Sequence, residues 1–438
     1  MKVFYYTFGC KVNQYETENI REAMNARGFG EADKAEEADV CIVNSCTVPA
    51  EADSKCRQLL RKLRRLSPEG VIVLTGCYAQ AFEKDAKELG ICDIVTGSRN
   101  KADVPELVCE FLEKHEPVFR VKPFEKGEGL EPMKNIGSSR KTRAYIKIQD
   151  GCDQYCTYCV IPFARGHICS KTPGDIAEET RALVGSGHKE IILTGINMCC
   201  YGKDLGALTL ADAAEAACKV QGDFRVRLSS LEPELLTDRD IERLAELDRL
   251  CPHFHLALQS GCDKTLKRMG RHYDTAQYEQ IVKKLREAFP GCAVSTDIMI
   301  GFPGETEEDF EASLDFVKRM RFSSAHVFPY SERQGTAAAK FSGAVPVNIR
   351  QERAARMRKV CLASQLEYNR SQVGRTLRVL FERERDPKVH RGHSDEYINV
   401  SIPRLTEKSL RRQFADVRIT SADVNGCSGE AESEVNNG

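Results

Sequence analysis

The sequence predicts an α/β protein in three parts: an N-terminal doubly wound parallel sheet, a central partial barrel of six strand–helix units, and a small C-terminal all-β module. Three observations carry this reading. Strand–helix units repeat through residues 1–114, six more occupy residues 138–370, and residues 371–425 alternate apolar and polar side chains with the period of strands. Residues 115–137 are rich in Pro, Gly, Lys and Glu without periodicity and read as a linker. Residues 426–438, of Gly, Ser, Glu and Asn composition, read as a disordered tail.

In the first part, strands at 2–8, 39–43, 71–75 and 91–96 alternate with helices at 15–27, 50–66, a segment ending at Leu89, and 104–114. Cys10, Cys46 and Cys77 each fall just past the carboxyl end of a strand, where the chain turns toward a helix. In an open parallel sheet those ends share one edge, the edge where ligands bind. Topology thus gathers three thiols that are distant in sequence, a donor set for an iron–sulfur cluster with one iron left open. The plainer alternative is packing, which is how Cys41, Cys56, Cys92 and Cys109 read, inside their elements.

In the second part, strands at 145–149, 190–194, 224–229, 254–259, 293–300 and 325–329 alternate with helices near 173–186, 208–220, 238–247, 275–288 and 307–319. The site of such a barrel lies at the carboxyl ends of its strands. Cys152, Cys156 and Cys159 stand there, after the first strand, as a C-x₃-C-x₂-C run. Three thiolates so spaced wrap one face of a cubane cluster and leave the fourth iron for chemistry. Zinc is the alternative, but zinc knuckles pair C-x₂₋₄-C with a second distant pair, and no C-x-x-C partner pair occurs elsewhere in this chain.

Polar or glycine-bearing turns follow successive strands: Thr194, Gly195 and Asn197; Ser230 and Glu232; Gln259; Ile300 and Gly301. Their recurrence points to one shared ligand. His255 and His326, within strands, read as structural, Asp297 as satisfying backbone groups, and Cys199 and Cys200 are assigned no role. A long helix at 348–370 leads to strands at 376–381, 397–402 and 415–420.

The formal net charge of −1 gives no bulk attraction for nucleic acid, so any such partner must be held by local basic patches. Arg57, Arg61, Arg64 and Arg65 share one helix face, Lys408, Arg411 and Arg412 cluster in the last module, and the long helix carries Arg350, Arg353, Arg356, Arg358 and Lys359. The absence of Trp weakens a base-stacking platform. There is no secretory leader pattern and no run of the ~20 apolar residues that a membrane span needs. Nineteen cysteines then fit a reducing compartment, with thiols for metals or packing. A monomer in the cytoplasm, without membrane contact, is expected.

Phe8-Gly9-Cys10-Lys11-Val12-Asn13-Gln14-Tyr15-Glu16, Val43-Asn44-Ser45-Cys46-Thr47-Val48, Gly76-Cys77-Tyr78-Ala79-Gln80 and the run from Cys152 to Gly166 resemble the radical S-adenosylmethionine (radical-SAM) methylthiotransferase family. The resemblance covers essentially the whole chain and implies a methylthiotransferase domain, a radical-SAM core and a C-terminal TRAM module. Lys11-Val12-Asn13 and Cys156-Thr157-Tyr158-Cys159-Val160-Ile161-Pro162-Phe163-Ala164-Arg165-Gly166 resemble the branch acting on N6-threonylcarbamoyladenosine beside the tRNA anticodon. It implies two 4Fe–4S clusters, one on Cys152, Cys156 and Cys159 that binds and cleaves SAM, the other on Cys10, Cys46 and Cys77 that supplies sulfur. A 5′-deoxyadenosyl radical would remove hydrogen from adenine C2, and a second SAM would methylate the incoming sulfur. The strand-end residues Thr194, Gly195, Asn197, Ser230, Glu232, Gln259, Ile300 and Gly301 would then contact SAM, the basic patches would contact tRNA, and an external donor would supply electrons. Alternatives within the class are isopentenyladenosine in tRNA and a ribosomal-protein aspartate. Outside it stands a non-catalytic iron–sulfur protein that binds RNA or senses redox state.

Overall fold

The computed structural model describes residues 1–48, 50–135, 137, 141–382, 386–404 and 408–432. In its first part six parallel strands, β1 (Lys2–Thr7), β2 (Gly30–Glu31), β3 (Val40–Ser45), β4 (Val71–Gly76), β5 (Ile94–Thr96) and β6 (Val118–Arg120), run in the order β2-β1-β3-β4-β5-β6. Successive strand side chains alternate between faces. Val40, Ile42, Val71, Val73 and Ile94 therefore pack on α1 (Lys11–Ala26) and α5 (Val104–Lys114), whereas Cys41, Val43, Ile72, Leu74 and Val95 pack on α2 (Ala50–Leu66) and α3 (Cys77–Ala81). Strand order reverses between β1 and β3, and a crevice opens at their carboxyl ends.

Local details differ from the sequence reading. Helix α1 begins at Lys11, not near Tyr15, with Cys10 at its N-cap. The helix expected to run to Leu89 is two, α3 and α4 (Glu83–Glu88), parted at Phe82 where ψ is 54°. Strand β6 lies in the stretch read as linker; three residues at a sheet edge are too few to show a period.

The central part holds β7 (Arg143–Lys147), β8 (Gln149–Asp150), α6 (Ile161–Arg165), β9 (Cys169–Ser170), α7 (Pro173–Gly185), β10 (Glu190–Thr194), α8 (Leu210–Cys218), β11 (Arg225–Leu228), β12 (Ser230–Leu231), α9 (Asp238–Ala245), β13 (His253–Leu256), α10 (Asp263–Met269), α11 (Thr275–Ala288), β14 (Ala293–Ile300), α12 (Glu307–Met320), β15 (Ser324–Pro329) and α13 (Val347–Arg370). Strands β11-β10-β7 form one parallel sheet and β12-β13-β14-β15 another, over a single apolar core. Capping boxes at Thr209/Asp212, Thr237/Asp240, Asp274/Gln277 and Thr306/Asp309 start α8, α9, α11 and α12. The six expected strands are present, as β7, β10, β11, β13, β14 and β15, parallel within each sheet.

The last part is a closed barrel, β16 (Thr376–Phe381), β17 (Val389–Ser394), β18 (Asn399–Pro403), β20 (Gly426–Ala431) and β19 (Phe414–Asp423) in that order around it. The sequence reading missed β17 and assigned β20 to a disordered tail. Both strands are poor in large apolar residues because backbone approaches backbone there. A Cβ at Gly392 would lie 2.2 Å from the Leu380 carbonyl oxygen, and one at Gly429 would lie 2.3 Å from that of Arg418. The remainder of the expected tail, 433–438, lies outside the described residues.

This barrel is seated on the amino ends of the central strands by buried charge. Glu190 accepts from Arg225 at 2.5 Å and Arg227 at 3.1 Å, and Arg225 reaches Asp395 of the barrel at 2.7 Å. The Tyr397 ring lies under the Arg227 guanidinium, and its hydroxyl accepts from Arg143 at 2.8 Å. Burial alone would raise the Glu190 pKa; Arg227 and Arg225 outweigh it and hold the carboxyl far below its ordinary value. Glu190→Ala leaves two buried guanidiniums short of a carboxylate, a loss of about 3–5 kcal/mol. Chemical denaturation of the variant checks this, and a loss below about 1 kcal/mol, the scale of an exposed pair, would contradict it.

Candidate metal centres and the cleft between them

The first thiol set forms at the crevice between β1 and β3. Cys46 and Cys77 follow their strands directly and are buried, while Cys10 caps α1 and is exposed. Gly9, at φ +85°, lets the chain turn there; a Cβ on it would stand 2.5 Å from Cys46 Sγ. The Asn13 amide donates to the carbonyls of Phe8 at 2.8 Å and Ser45 at 2.9 Å, tying two strand ends together.

Arg165, at the end of α6, reaches into this crevice from the central part. Its Nε donates to Cys77 Sγ at 3.0 Å, and its other nitrogens reach Asn13 and Glu16 at 2.5 Å and Asp150 at 3.2 Å. Lys147 bridges the same carboxylates, at 2.9 Å to Glu16 and 3.0 Å to Asp150, and Lys101 pairs with Glu16. All five charged side chains are buried. Burial would raise both carboxyls, but the cations prevail: Glu16 is held well below the usual range, and Asp150 is held down to about 2. Arg99 adds a fourth cation, bonded to Cys169 Sγ at 2.6 Å. An excess of fixed positive charge around thiols suits anionic ligand sets. Nothing in periodicity marks these residues, although Glu16 and Arg165 lie in the motif runs quoted above.

The second set sits in the loop after β8. The Cys152 backbone N–H donates to Gly166 at 3.0 Å, Thr157 to Met269 at 2.9 Å, and Tyr155 adopts φ +49°. Side chains aim N–H groups at the sulfurs. Arg271 donates to Cys156 Sγ at 3.3 Å and pairs with Glu232, and Asn197 Nδ2 lies 3.8 Å from Cys152 Sγ. Burial pushes the Cys159 thiol up to about 12 and Cys46 to about 11, so a bound metal must supply the deprotonation. Among the described residues no three His, Cys, Asp or Glu side chains converge on a single ion; irons at separate cubane corners need no such convergence. With soft donors, N–H groups on their sulfurs and the buried, unpartnered Asn197 Oδ1 beside them, both sets fit 4Fe–4S clusters and the second fits SAM.

A cleft of about 960 Å³ adjoins the second set, lined by Cys159, Val160, Gln259, Gly301 and Tyr330 and reaching Val48, two residues past Cys46. Arg333 clasps this side, pairing with Asp53 at 2.7 Å and with Thr47. Of the residues expected around the shared ligand, Gln259 and Gly301 line the cleft, while Asn197 and Glu232 serve the thiol loop. Thr194 and Gly195 instead pack against the β7–β8 turn: the Thr194 carbonyl accepts from Ile148, and a Cβ at Gly195 would meet Gln149. Ile300 is buried, its carbonyl accepting from Tyr330, and Ser230 pairs in β12. Asp297 lies on the cleft wall with its carboxylate 3.2 Å from His255, so it serves a histidine and not the backbone groups expected. His255 also meets Ser295 at 3.0 Å, and His326 lies beside it.

The basic face of α2 divides. Arg64 turns inward to Asp93 at 2.6 Å and to three backbone carbonyls, so it is a structural residue. Arg57 packs over Tyr78. Arg61 and Arg65 are exposed and, with Lys55 and Lys62, border a hollow floored by Tyr6 and Phe8. In the last module Arg412 donates to the Lys141 carbonyl at 2.8 Å, while Lys408 and Arg411 are exposed. On α13, Arg353 and Arg356 are taken up by Glu305, Glu307 and Glu311, and Arg350 by the Tyr330 carbonyl.

Residues 146–317 match the Radical SAM superfamily, and residues 2–97 match Uncharacterized protein family UPF0004. The chain is 37% identical over 405 residues to the threonylcarbamoyladenosine tRNA methylthiotransferase MtaB of Bacillus subtilis strain 168, covering 91% of this chain and 89% of that protein. It is 34% identical over 438 residues to the tRNA-2-methylthio-N(6)-dimethylallyladenosine synthase of Clostridium botulinum strain Langeland, covering 98% and 96%. The radical SAM methyltransferase TsrM from Kitasatospora setae, solved with cobalamin and a [4Fe-4S] cluster, superposes with a TM-score of 0.56 over 77% of each chain at 15% identity, a likeness of fold.

The buried charges give a pH prediction. Because the folded pKa of Glu16 is depressed, its contribution to stability is present above its unfolded value near ~4.3 and is lost as pH falls through the lower folded value. Glu16→Gln should destabilise the metal-free protein by about 3–5 kcal/mol at neutral pH, with the gap to wild type narrowing below about pH 4. Urea unfolding at several pH values measures it; parallel pH profiles for the two proteins would refute the assignment.

Proposed function

The chain belongs to the radical-SAM tRNA methylthiotransferases, and from that premise we propose that it attaches a methylthio group to C2 of N6-threonylcarbamoyladenosine beside the tRNA anticodon. One observation carries the reading: a set of three cysteines follows strand ends in each of two parts, and Arg165 bonds to both, to Cys77 in one and Asp150 in the other. The substrate assignment draws on Lys11-Val12-Asn13 and on the MtaB relatives.

In this reading Cys152, Cys156 and Cys159 hold the cluster that engages SAM, and Cys10, Cys46 and Cys77 hold the second. Bound there, the clusters and SAM supply the radical, the sulfur and the methyl group, fed by an external electron donor. The chain's own residues position and shield. Arg271 and Asn197 hold the sulfurs of Cys156 and Cys152, Arg165 holds Cys77, and Gln259 and Gly301 offer SAM a wall in a cleft whose apolar lining excludes water. The two central sheets act together as one partial barrel, and the last module is a TRAM-type tRNA grip. Arg61 and Arg65, beside the Tyr6 and Phe8 rings, and Lys408 with Arg411 hold phosphates of an RNA that spans both ends. A cytoplasmic monomer satisfies every one of these roles.

Mass spectrometry of tRNA nucleosides from a deletion strain, with and without the gene restored, tests the substrate. The expected change is loss and return of the 2-methylthio derivative of N6-threonylcarbamoyladenosine. A change in the isopentenyl derivative instead would move the substrate, and no change in either would overturn the reading. Replacing Cys152, Cys156 and Cys159 by Ala should leave roughly half the iron and no SAM cleavage, and full iron would refute the ligand assignment. Arg61→Gln with Arg65→Gln should flatten the salt dependence of tRNA binding by roughly 0.7–0.9 in log–log slope per lost phosphate contact, and an unchanged slope would return both to ordinary surface.

A further inference from the structure

We infer that Lys11 reads the carboxylate of the amino-acid group on the adenine, and so distinguishes this substrate from an isopentenyl one. The inference rests on the proposed substrate and adds the residue that selects it. Lys11 opens α1 directly after Cys10 and is half-buried. Its Nζ crosses to the central part and lies 3.4 Å from Ser229 Oγ, at the carboxyl end of β11. The other buried lysines of this region are matched with carboxylates, Lys101 and Lys147 with Glu16, and Lys171 with Glu179. Among the described residues no carboxylate stands within ion-pair distance of Lys11. Asp297 on the cleft wall is near, but it is matched with His255.

A half-buried ammonium held by one hydroxyl keeps donors to spare. What it faces follows from the purine. Atoms C2 and C6 both neighbour N1, so a group on N6 leaves the same edge that carries C2. Presenting C2 to the thiol set that includes Cys10 therefore brings the N6 substituent alongside Cys10, where the next residue is Lys11. A threonylcarbamoyl group ends there in a carboxylate; an isopentenyl group has nothing to offer a cation and would leave Lys11 desolvated without a partner.

The test is binding of anticodon stem-loop RNAs that differ only at the modified adenosine, carrying the threonylcarbamoyl group, the isopentenyl group or neither. Wild type should prefer the threonylcarbamoyl loop. Lys11→Met should weaken that loop by about tenfold or more, with the affinity for the unmodified loop kept within about twofold, and Lys11→Arg should restore most of the preference. The unmodified loop and the iron content report on folding independently. Wild type without any preference would bring down the substrate reading and this inference together. Wild-type preference that survives intact in Lys11→Met would overturn the role of Lys11 alone.

Discussion

The Arg165 guanidinium is the constraint on which the rest of the structure depends. Burying an ion costs several kcal/mol, recovered only when each of its donors and acceptors is met. Arg165 meets that condition by drawing on both parts of the chain: Asn13, Glu16 and Cys77 on one side, Asp150 on the other. Separating the two sheets would break the contacts of Arg165 and Lys147 with Glu16 and those of Arg165 with Asn13 and Cys77. Adjacent domains ordinarily move against each other; here buried ion pairs, Arg165 and Lys147 to Glu16, oppose that motion. The same contacts tie the edge that carries Cys10, Cys46 and Cys77 to the part that carries Cys152, Cys156 and Cys159.

The same device recurs at the other end of the central strands. Glu190, Arg225 and Arg227 join the terminal barrel to the core as Glu16, Asp150 and Arg165 join the first sheet to it. In both places the buried charge lies at an interface between parts, while each part keeps its own apolar core. Apolar burial holds the units and ionic geometry sets their register. That division suits an enzyme whose parts must be mutually placed to within the reach of a chemical bond.

What could be read from the sequence was whatever repeats or lies close along the chain. The βα alternation marked four of the six strands of the first sheet and six central strands, and strand-end position alone brought Cys10, Cys46 and Cys77 together. The Cys152 loop was legible because its three cysteines span eight residues. Illegible were the contacts made across parts. Arg165, Lys147 and Glu16 look in sequence like ordinary surface charges, and only the docked sheets show them buried. The face drawn on α2 joined Arg64 to its neighbours by helical spacing, but spacing is blind to Asp93 approaching from the next loop. The barrel strands β17 and β20 escaped because their glycines record a close backbone, a property that hydrophobic period does not carry.

The Arg165–Cys77 contact also orders events during synthesis. Arg165 stands 88 residues beyond Cys77, so the first sheet leaves the ribosome with all three of its thiols before the cation that will hold one of them exists. Domains fold from the N-terminus as they emerge. Through that interval Glu16 has only Lys101 among its eventual partners, and a half-matched carboxylate keeps its edge of the sheet wet. The thiol edge thus stays without its cation while the chain is still growing, and Arg165 reaches Cys77 only after the loop that carries the second thiol set has been made.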